Sequence, residues 1–201
     1  RALVISGFLS KGASARVSLM RRNRRQREWA VVGERFTLRA LLEPFSSIGP
    51  YDLLSLEATA PAVFTDVWLG PEDRPLIRPS HGFYFAERDD DNNLFRWMAA
   101  EASATAYLPA ASRGRLTVQG WIPVKYYQMP LTLSLEWNGR PLAPFPVNTP
   151  NFRVEREVTR SGESPWGDLT IRSSQSFVPD DLQKNGDRRP LAARIYRLAL
   201  D

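Results

Sequence analysis

The 201-residue chain contains no cysteine, which excludes a disulfide framework, a thiolate metal site and a cysteine nucleophile. A single histidine, His81, leaves most zinc sites without ligands and most Ser-His triads without a base. No apolar run approaches the roughly 18 residues that cross a bilayer as a helix. Three methionines stand against sixteen prolines and twelve glycines, so turns are many and long helices few. Lysine is scarce too, outnumbered by arginine twenty-four to three, so no single arginine carries much information. What remains is ordinary for a globular protein with a real core: 43% apolar and 24% charged.

The net charge of +5 is concentrated at one end. Residues 1–35 hold nine Lys/Arg and two Asp/Glu, whereas the rest hold eighteen and twenty. The focus is a basic patch of Arg21, Arg22, Arg24, Arg25 and Arg27. Such a run is first of all a solvated loop; as a functional patch it would touch the phosphates of a membrane surface or another polyanion. Nucleic acid is not an expected partner, because no helix-turn-helix, zinc-finger or RNP-like pattern accompanies the arginines.

The chain also repeats itself. A shift of 116 residues aligns Val17-Ser-Leu with Leu133-Ser-Leu, Trp29 with Phe145, Val31 with Val147, Phe36 with Phe152 and Leu38 with Val154. Upstream, Leu3-Val-Ile-Ser-Gly-Phe-Leu9 matches Leu116-Thr-Val-Gln-Gly-Trp-Ile122. Downstream, Pro50-Tyr51 matches Pro165-Trp166, Leu54-Ser-Leu matches Leu169-Thr-Ile, and Asp73-Arg74 matches Asp187-Arg188 before closing apolar stretches near 82–85 and 193–200. The order of matches defines two copies of one β unit, residues 1–81 and 82–201. The first lacks a counterpart of 82–113. Either its opening strands lie upstream of Arg1 in a longer protein, the reading that the absence of an initial Met favours, or this copy is naturally shorter. The apolar sheet face so left open needs cover from the second copy or from a missing segment.

Period-two alternation in short runs, split by Pro, Gly, Asn and Asp, predicts strands at 82–87, 94–98, 103–108, 115–122, 131–137, 142–147, 152–158, 168–173 and 191–200. Asn138-Gly139 after the fifth of these is a type I′ hairpin signal, since that turn needs positive φ at both central positions. Residues 95–105 alone have enough helical pattern to compete with the strand reading. The expected class is all-β: two tandem, related antiparallel β-sandwich units of jelly-roll type, the first lacking its opening strands. By alignment the arginine run falls at the tip of the hairpin that carries Asn138-Gly139 in the second copy.

Gly82-Phe-Tyr-Phe with Glu87, Phe95-Arg-Trp97, the apolar run at 104–108, Asn138-Gly-Arg-Pro, Ser176-Phe-Val-Pro179, Asp187-Arg-Arg-Pro-Leu191 and Tyr196-Arg-Leu198 form a spread pattern. It resembles a β-sandwich module at the C-terminal ends of bacterial membrane glycosyltransferases and sugar-processing proteins. The resemblance implies an architecture like that of carbohydrate-binding modules. It further implies a non-catalytic accessory segment of a larger envelope-associated protein, on the extracytoplasmic face, binding glycan or glycolipid without a cofactor and contacting the upstream part of its own polypeptide. The alternative is a purely structural or docking module that mediates domain or subunit association. The first copy departs from the pattern, with arginines in place of the Asn-Gly turn.

Sugar rings stack their C–H faces on flat aromatic groups, so Trp97, Trp121, Trp137, Trp166, Tyr126 and Tyr127 are the candidates for a platform. Trp121 aligns with Phe8 and Trp166 with Tyr51, as core positions would. Tyr126, Tyr127 and Trp137 have no aromatic counterpart in the first copy and flank turns, so they and Asn138 are the expected ligand-binding residues. Asp89, Asp90 and Asp91 form the one dense run of oxygen ligands. Without the alternating spacing of a calcium loop they read as an acidic hairpin loop, with a metal only as the lesser option. Asp187-Arg188 is expected to be a buried pair that pins the last strand. Glu87 and Glu101 are the nearest approach to a glycosidase pair, with no spacing to single them out. His81 reads as a surface or linker residue.

Overall fold

The computed structural model describes residues 1–21, 24–42, 53–70, 73–109, 113–160 and 162–201. The chain divides into two compact units, Arg1–Glu72 and Asp73–Asp201. Both are built from antiparallel strands, as the alternation and turn spacing require.

The first unit runs β1 (Ala2–Leu9), β2 (Ser14–Arg21), β3 (Arg24–Val32), β4 (Arg35–Leu41), β5 (Leu53–Ala58) and β6 (Ala62–Gly70). These make two three-stranded sheets, β4-β1-β6 and β3-β2-β5. Alternate residues of the facing strands, among them Leu3, Ile5, Val17, Leu19 and Phe36, form its core.

The second unit runs β7 (Leu76–Arg88), β8 (Leu94–Tyr107), β9 (Arg113–Trp121), β10 (Leu131–Trp137), β11 (Arg140–Pro141), β12 (Phe145–Val147), β13 (Asn151–Thr159), β14 (Trp166–Ser173), the short helix α1 (Pro179–Gln183) and β15 (Ala193–Leu200). Strand β8 serves two neighbourhoods. Its first part pairs with β15 through Arg96–Met98, and its second with β14 through Glu101–Tyr107. Strand β7 follows it through both. The bend is made possible at Gly82, whose φ is +74° and where a Cβ would lie 2.1 Å from the Glu101 carbonyl oxygen. The sheet thereby folds over a core that includes Met98, Leu116, Val118, Leu133, Leu135, Phe152, Leu169 and Ile171. Asn138 and Gly139 take φ of 52° and 75°, the positive values that the hairpin signal demands.

The repeat is visible in the pairing. Strand β1 lies between β4 and β6 as β9 lies between β13 and β15, and β2 pairs with β3 and β5 as β10 pairs with β11, β12 and β14. Even the bulges correspond: Thr65 is skipped between Phe64 and Asp66, and Tyr196 between Ile195 and Arg197. Strands β7 and β8 have no counterpart among the described residues of the first unit.

Three expectations change. The closing strand of the first copy is β6, not 82–85, because the connection at 59–61 is short where the equivalent 174–192 is long and contains α1. A constant offset fails beyond that point, so Asp73-Arg74 follows the closing strand of its copy while Asp187-Arg188 precedes its own. The junction at 81/82 falls inside β7, whose residues from Leu76 already pair with β8. The two strands expected at 94–98 and 103–108 are strand as read but form one continuous element, β8, with no break between them. Pro50 and Tyr51 lie outside the described residues.

Candidate functional site

In the second unit, pleating turns one row of side chains away from the main core. Trp97 on β8, Arg194 on β15, Trp121 on β9 and Asn151 on β13 are direct neighbours across four strands. The Arg194 guanidinium lies 4.8 Å from the ring centre of Trp121, 5.0 Å from Trp97 and 4.7 Å from Phe95. A planar, weakly hydrated cation is suited to such faces, each contact contributing about 0.5–2 kcal/mol. Phe95 and Trp97 are buried and Trp121 is half-buried, so Trp121 is the indole of this row that meets solvent. Tyr196 and Phe177 flank the cluster, 5.8 Å from Phe95 and 6.0 Å from Trp97 respectively. The Nε of Arg194 is buried and makes no hydrogen bond.

A groove of about 710 Å³ opens over this row. Strands supply Leu94, Gln119, Trp121, Asn151, Arg194 and Tyr196; the β7–β8 loop supplies Asp89, Asp90, Asp91 and Asn93. The loop is held in shape by Asp89, whose carboxylate accepts hydrogen bonds from the amides of Asp91 (3.1 Å) and Asn93 (2.8 Å), the Asn93 side chain (3.2 Å) and the Tyr196 hydroxyl (3.0 Å). Desolvation pulls the Asp89 carboxyl upward, but these bonds outweigh it and leave it below the ordinary carboxylate value. Burial, then the Asp89 charge, push the Tyr196 phenol up against the opposing Arg194.

A second cleft of about 310 Å³ shares Trp121 and Arg194 with the first and is lined also by Lys125, Tyr126, Phe177 and Gln183. At its border Arg189 binds Asp187 through two nitrogens, at 2.9 and 2.8 Å, and Glu87 at 2.6 Å. The Arg189 hydrogen bonds hold the Asp187 carboxyl low.

The expected ligand residues separate. Tyr126 stacks on Phe177 at 4.7 Å and lines the second cleft. Tyr127 instead donates its hydroxyl to the carbonyls of Leu191 (3.2 Å) and Ala192 (2.6 Å) and packs on the core. Trp137 is 5% exposed and donates Nε1–H to Thr159 O at 2.7 Å, so it has no face to offer a ligand. The Oδ1 of Asn138 accepts from the Asp168 amide at 2.8 Å, a turn function. Both oxygens of Asp89 accept hydrogen bonds within the hairpin, and Asp89, Asp90 and Asp91 line the groove; no group of three or more His, Asp or Glu converges among the described residues.

Other expectations shift by one partner. The arginine that pins the segment before β15 is Arg189, while Arg188 is 87% exposed beside Asp180. Glu101 and Glu136 both bind Arg172, at 2.7 Å each, and Glu87 binds Arg189. His81 sits half-buried in β7 opposite Ser103, not in a linker. Of the basic patch, Arg21 closes β2 opposite Arg24 at the start of β3, so the run does lie at a hairpin tip. Arg24 and Arg25 are exposed, Arg21 and Arg27 half-buried, and Arg22 lies outside the described residues. Glu28 pairs with Arg25 and Arg16 and offsets part of the charge.

Sequence reasoning missed Arg194, Gln119, Asn151 and Tyr196 as a group. A signal existed: the same row in the first unit reads Val63, Phe8 and Arg35, so two of the three positions change chemical character between copies.

No family model and no curated protein matches the sequence. Solved structures similar to this chain include a family 35 carbohydrate-binding module from an environmental isolate, with 6% identity, 63% of this chain and 92% of that one covered, and a TM-score of 0.42. A CBM36-1 domain of a multidomain xylanase from the hindgut metagenome of Trinervitermes trinervoides gives 10%, 64%, 97% and 0.37. A CBM36 module in complex with calcium and xylotriose gives 12%, 63%, 99% and 0.34. At TM-scores this low the likenesses carry no argument about the site, which stands on its own side chains.

Proposed function

We propose that the second unit is a non-catalytic, carbohydrate-binding accessory module of a larger envelope-associated protein, and that glycan or glycolipid binds in the groove over Trp121. The row Arg194–Trp121–Asn151 carries this reading. Arg194 backs the indole and fixes its plane, so little side-chain freedom is lost when a sugar ring lies on it. The amides of Asn151 and Gln119 present a donor and an acceptor side by side, a match for adjacent hydroxyls. The carboxylates of Asp90 and Asp91 and the Arg194 guanidinium add charged partners at the border. The groove is lined mainly by polar and charged side chains around one indole, which suits a hydroxyl-rich ligand more than an apolar one. Glu87 and Glu101 are engaged with arginines, which supports binding rather than hydrolysis as the task of the unit.

The test is an immobilised-glycan screen of the chain beside Asn151→Ala and Gln119→Ala. Both residues are exposed, so the melting temperatures should stay within about 2 °C of the parent. Loss of tenfold or more in affinity for a defined sugar class supports the groove. Undiminished binding in both variants, or none to any glycan by the parent, contradicts it.

A further inference from the structure

The two units differ in one respect that bears on partners. In the second, β8 covers the outer edge of β15 with its first half and that of β14 with its second. The equivalent edges in the first unit, those of β6 and β5, have no partner strand among the described residues. The side chains register the difference. Leu69 and Leu200 are equivalent, opposite Leu3 and Leu116 in their sheets, yet Leu69 is 44% exposed and Leu200 only 5%. Val67, opposite the fully buried Ile5, is 45% exposed on the same core-facing side. Leu54 on β5, opposite Leu19, is half-buried where Ile171 on β14, opposite the equivalent Leu135, is fully so.

An edge left open by design is normally blunted by lysine, proline or a short strand. Strand β6 carries a bulge at Thr65 and the buried Asp66, but it has no lysine, arginine or proline, and its stretch beyond the bulge, 67–70, is apolar; β5 is apolar apart from Ser55 and Glu57.

We propose that the open side of the first unit takes up a donor strand of β8's kind from a partner polypeptide segment: a single extended strand with apolar groups at alternate positions, pairing antiparallel with β6 and then β5. Main-chain hydrogen bonds to both edges supply the attachment, and the alternate side chains cover Val67, Leu69, Leu54 and Leu56. The occupant is inferred from the second unit, where one strand fills this position against the same topology. A second copy pairing edge to edge would cover either β5 or β6 and leave the inner faces of the other exposed.

The experiment extends the full chain ahead of Arg1 with a duplicate of residues 76–112, which precede β9 in the second unit as the extension would precede β1. Hydrogen exchange is followed at the amides of β5 and β6, and sedimentation gives the oligomeric state. The expected result is a monomer in which exchange in 53–58 and 62–70 slows by about tenfold or more. Introducing Val67→Lys, a charge at a position with room for it in the parent fold, should remove that protection while leaving β1 and β2 as protected as before. Unchanged exchange in the extended chain overturns the proposal. So does concentration-dependent protection of both edges in the parent chain with dimer formation, which would make a second copy the occupant.

Discussion

Gly7 and Gly120 hold the same place in the two units. A Cβ on Gly7 would stand 2.4 Å from the Val63 carbonyl oxygen and 2.9 Å from the Phe36 ring; on Gly120 the distances are 2.3 Å to Arg194 O and 2.6 Å to the Phe152 ring. In each case the central strand meets its neighbour at the bulge so closely that only hydrogen fits. For Gly120 that neighbour is Arg194, so this close approach also sets the position of the guanidinium behind Trp121.

Gly120→Ala should therefore destabilise the second unit by about 2–3 kcal/mol, read from the midpoint of denaturant unfolding. Adding Phe152→Leu should recover only part of the loss, because the backbone carbonyl still blocks the methyl. Full recovery would mean that the ring alone was the obstacle.

Tyr127 predicts a pH effect. Burial raises its phenol above the ordinary value near 10, so the neutral form is favoured in the folded protein. That contribution is complete below pH 10 and is lost as the pH rises toward the folded value. Tyr127→Phe should cost about 1 kcal/mol at neutral pH, through the lost hydrogen bonds to Leu191 and Ala192, and should flatten the fall in stability above pH 10. An unaltered alkaline slope in the variant would assign it to other groups.

Asp89 acts in the opposite direction. Its lowered carboxyl pKa gives stability that is present above the ordinary carboxylate value and lost as the pH falls through the folded value. Amide exchange in the 89–93 loop should accelerate in that acid range in the parent and be already fast in Asp89→Ala. Calcium at millimolar concentration should leave the melting temperature unchanged, since the hairpin occupies both Asp89 oxygens. A rise of several degrees would restore the metal reading.

Trp137→Ala should cost about 3–5 kcal/mol, as for a large aromatic removed from a packed core. Glycan affinity of the protein that remains folded should match the parent. A selective loss of binding without loss of stability would place Trp137 back among ligand residues.

The fold was legible because its signals are local. Leu131, Leu133 and Leu135 alternate with polar residues over a strand whose observed bounds match the pattern, and Asn138-Gly139 fixes the turn that follows. The groove was not, because it is assembled across strands distant in sequence: Trp97, Trp121, Asn151 and Arg194 come together only through sheet register. Aromatic residues beside turns drew attention to Tyr127 and Trp137, but a polar atom on a ring can equally satisfy a buried carbonyl, as both do. The change from Val63 to Arg194 between copies lay hidden by the long insertion at 174–192, which displaced the alignment before the informative strand.

The most direct test of the account is a two-dimensional NMR titration with whichever soluble oligosaccharide the glycan screen selects, following the Trp121 indole N–H and the Asn151 and Gln119 side-chain amides. The account predicts that these three signals shift together and saturate at one dissociation constant, while the Trp137 indole N–H stays in place. Shifts confined to other residues, or equal shifts at Trp137, would contradict it.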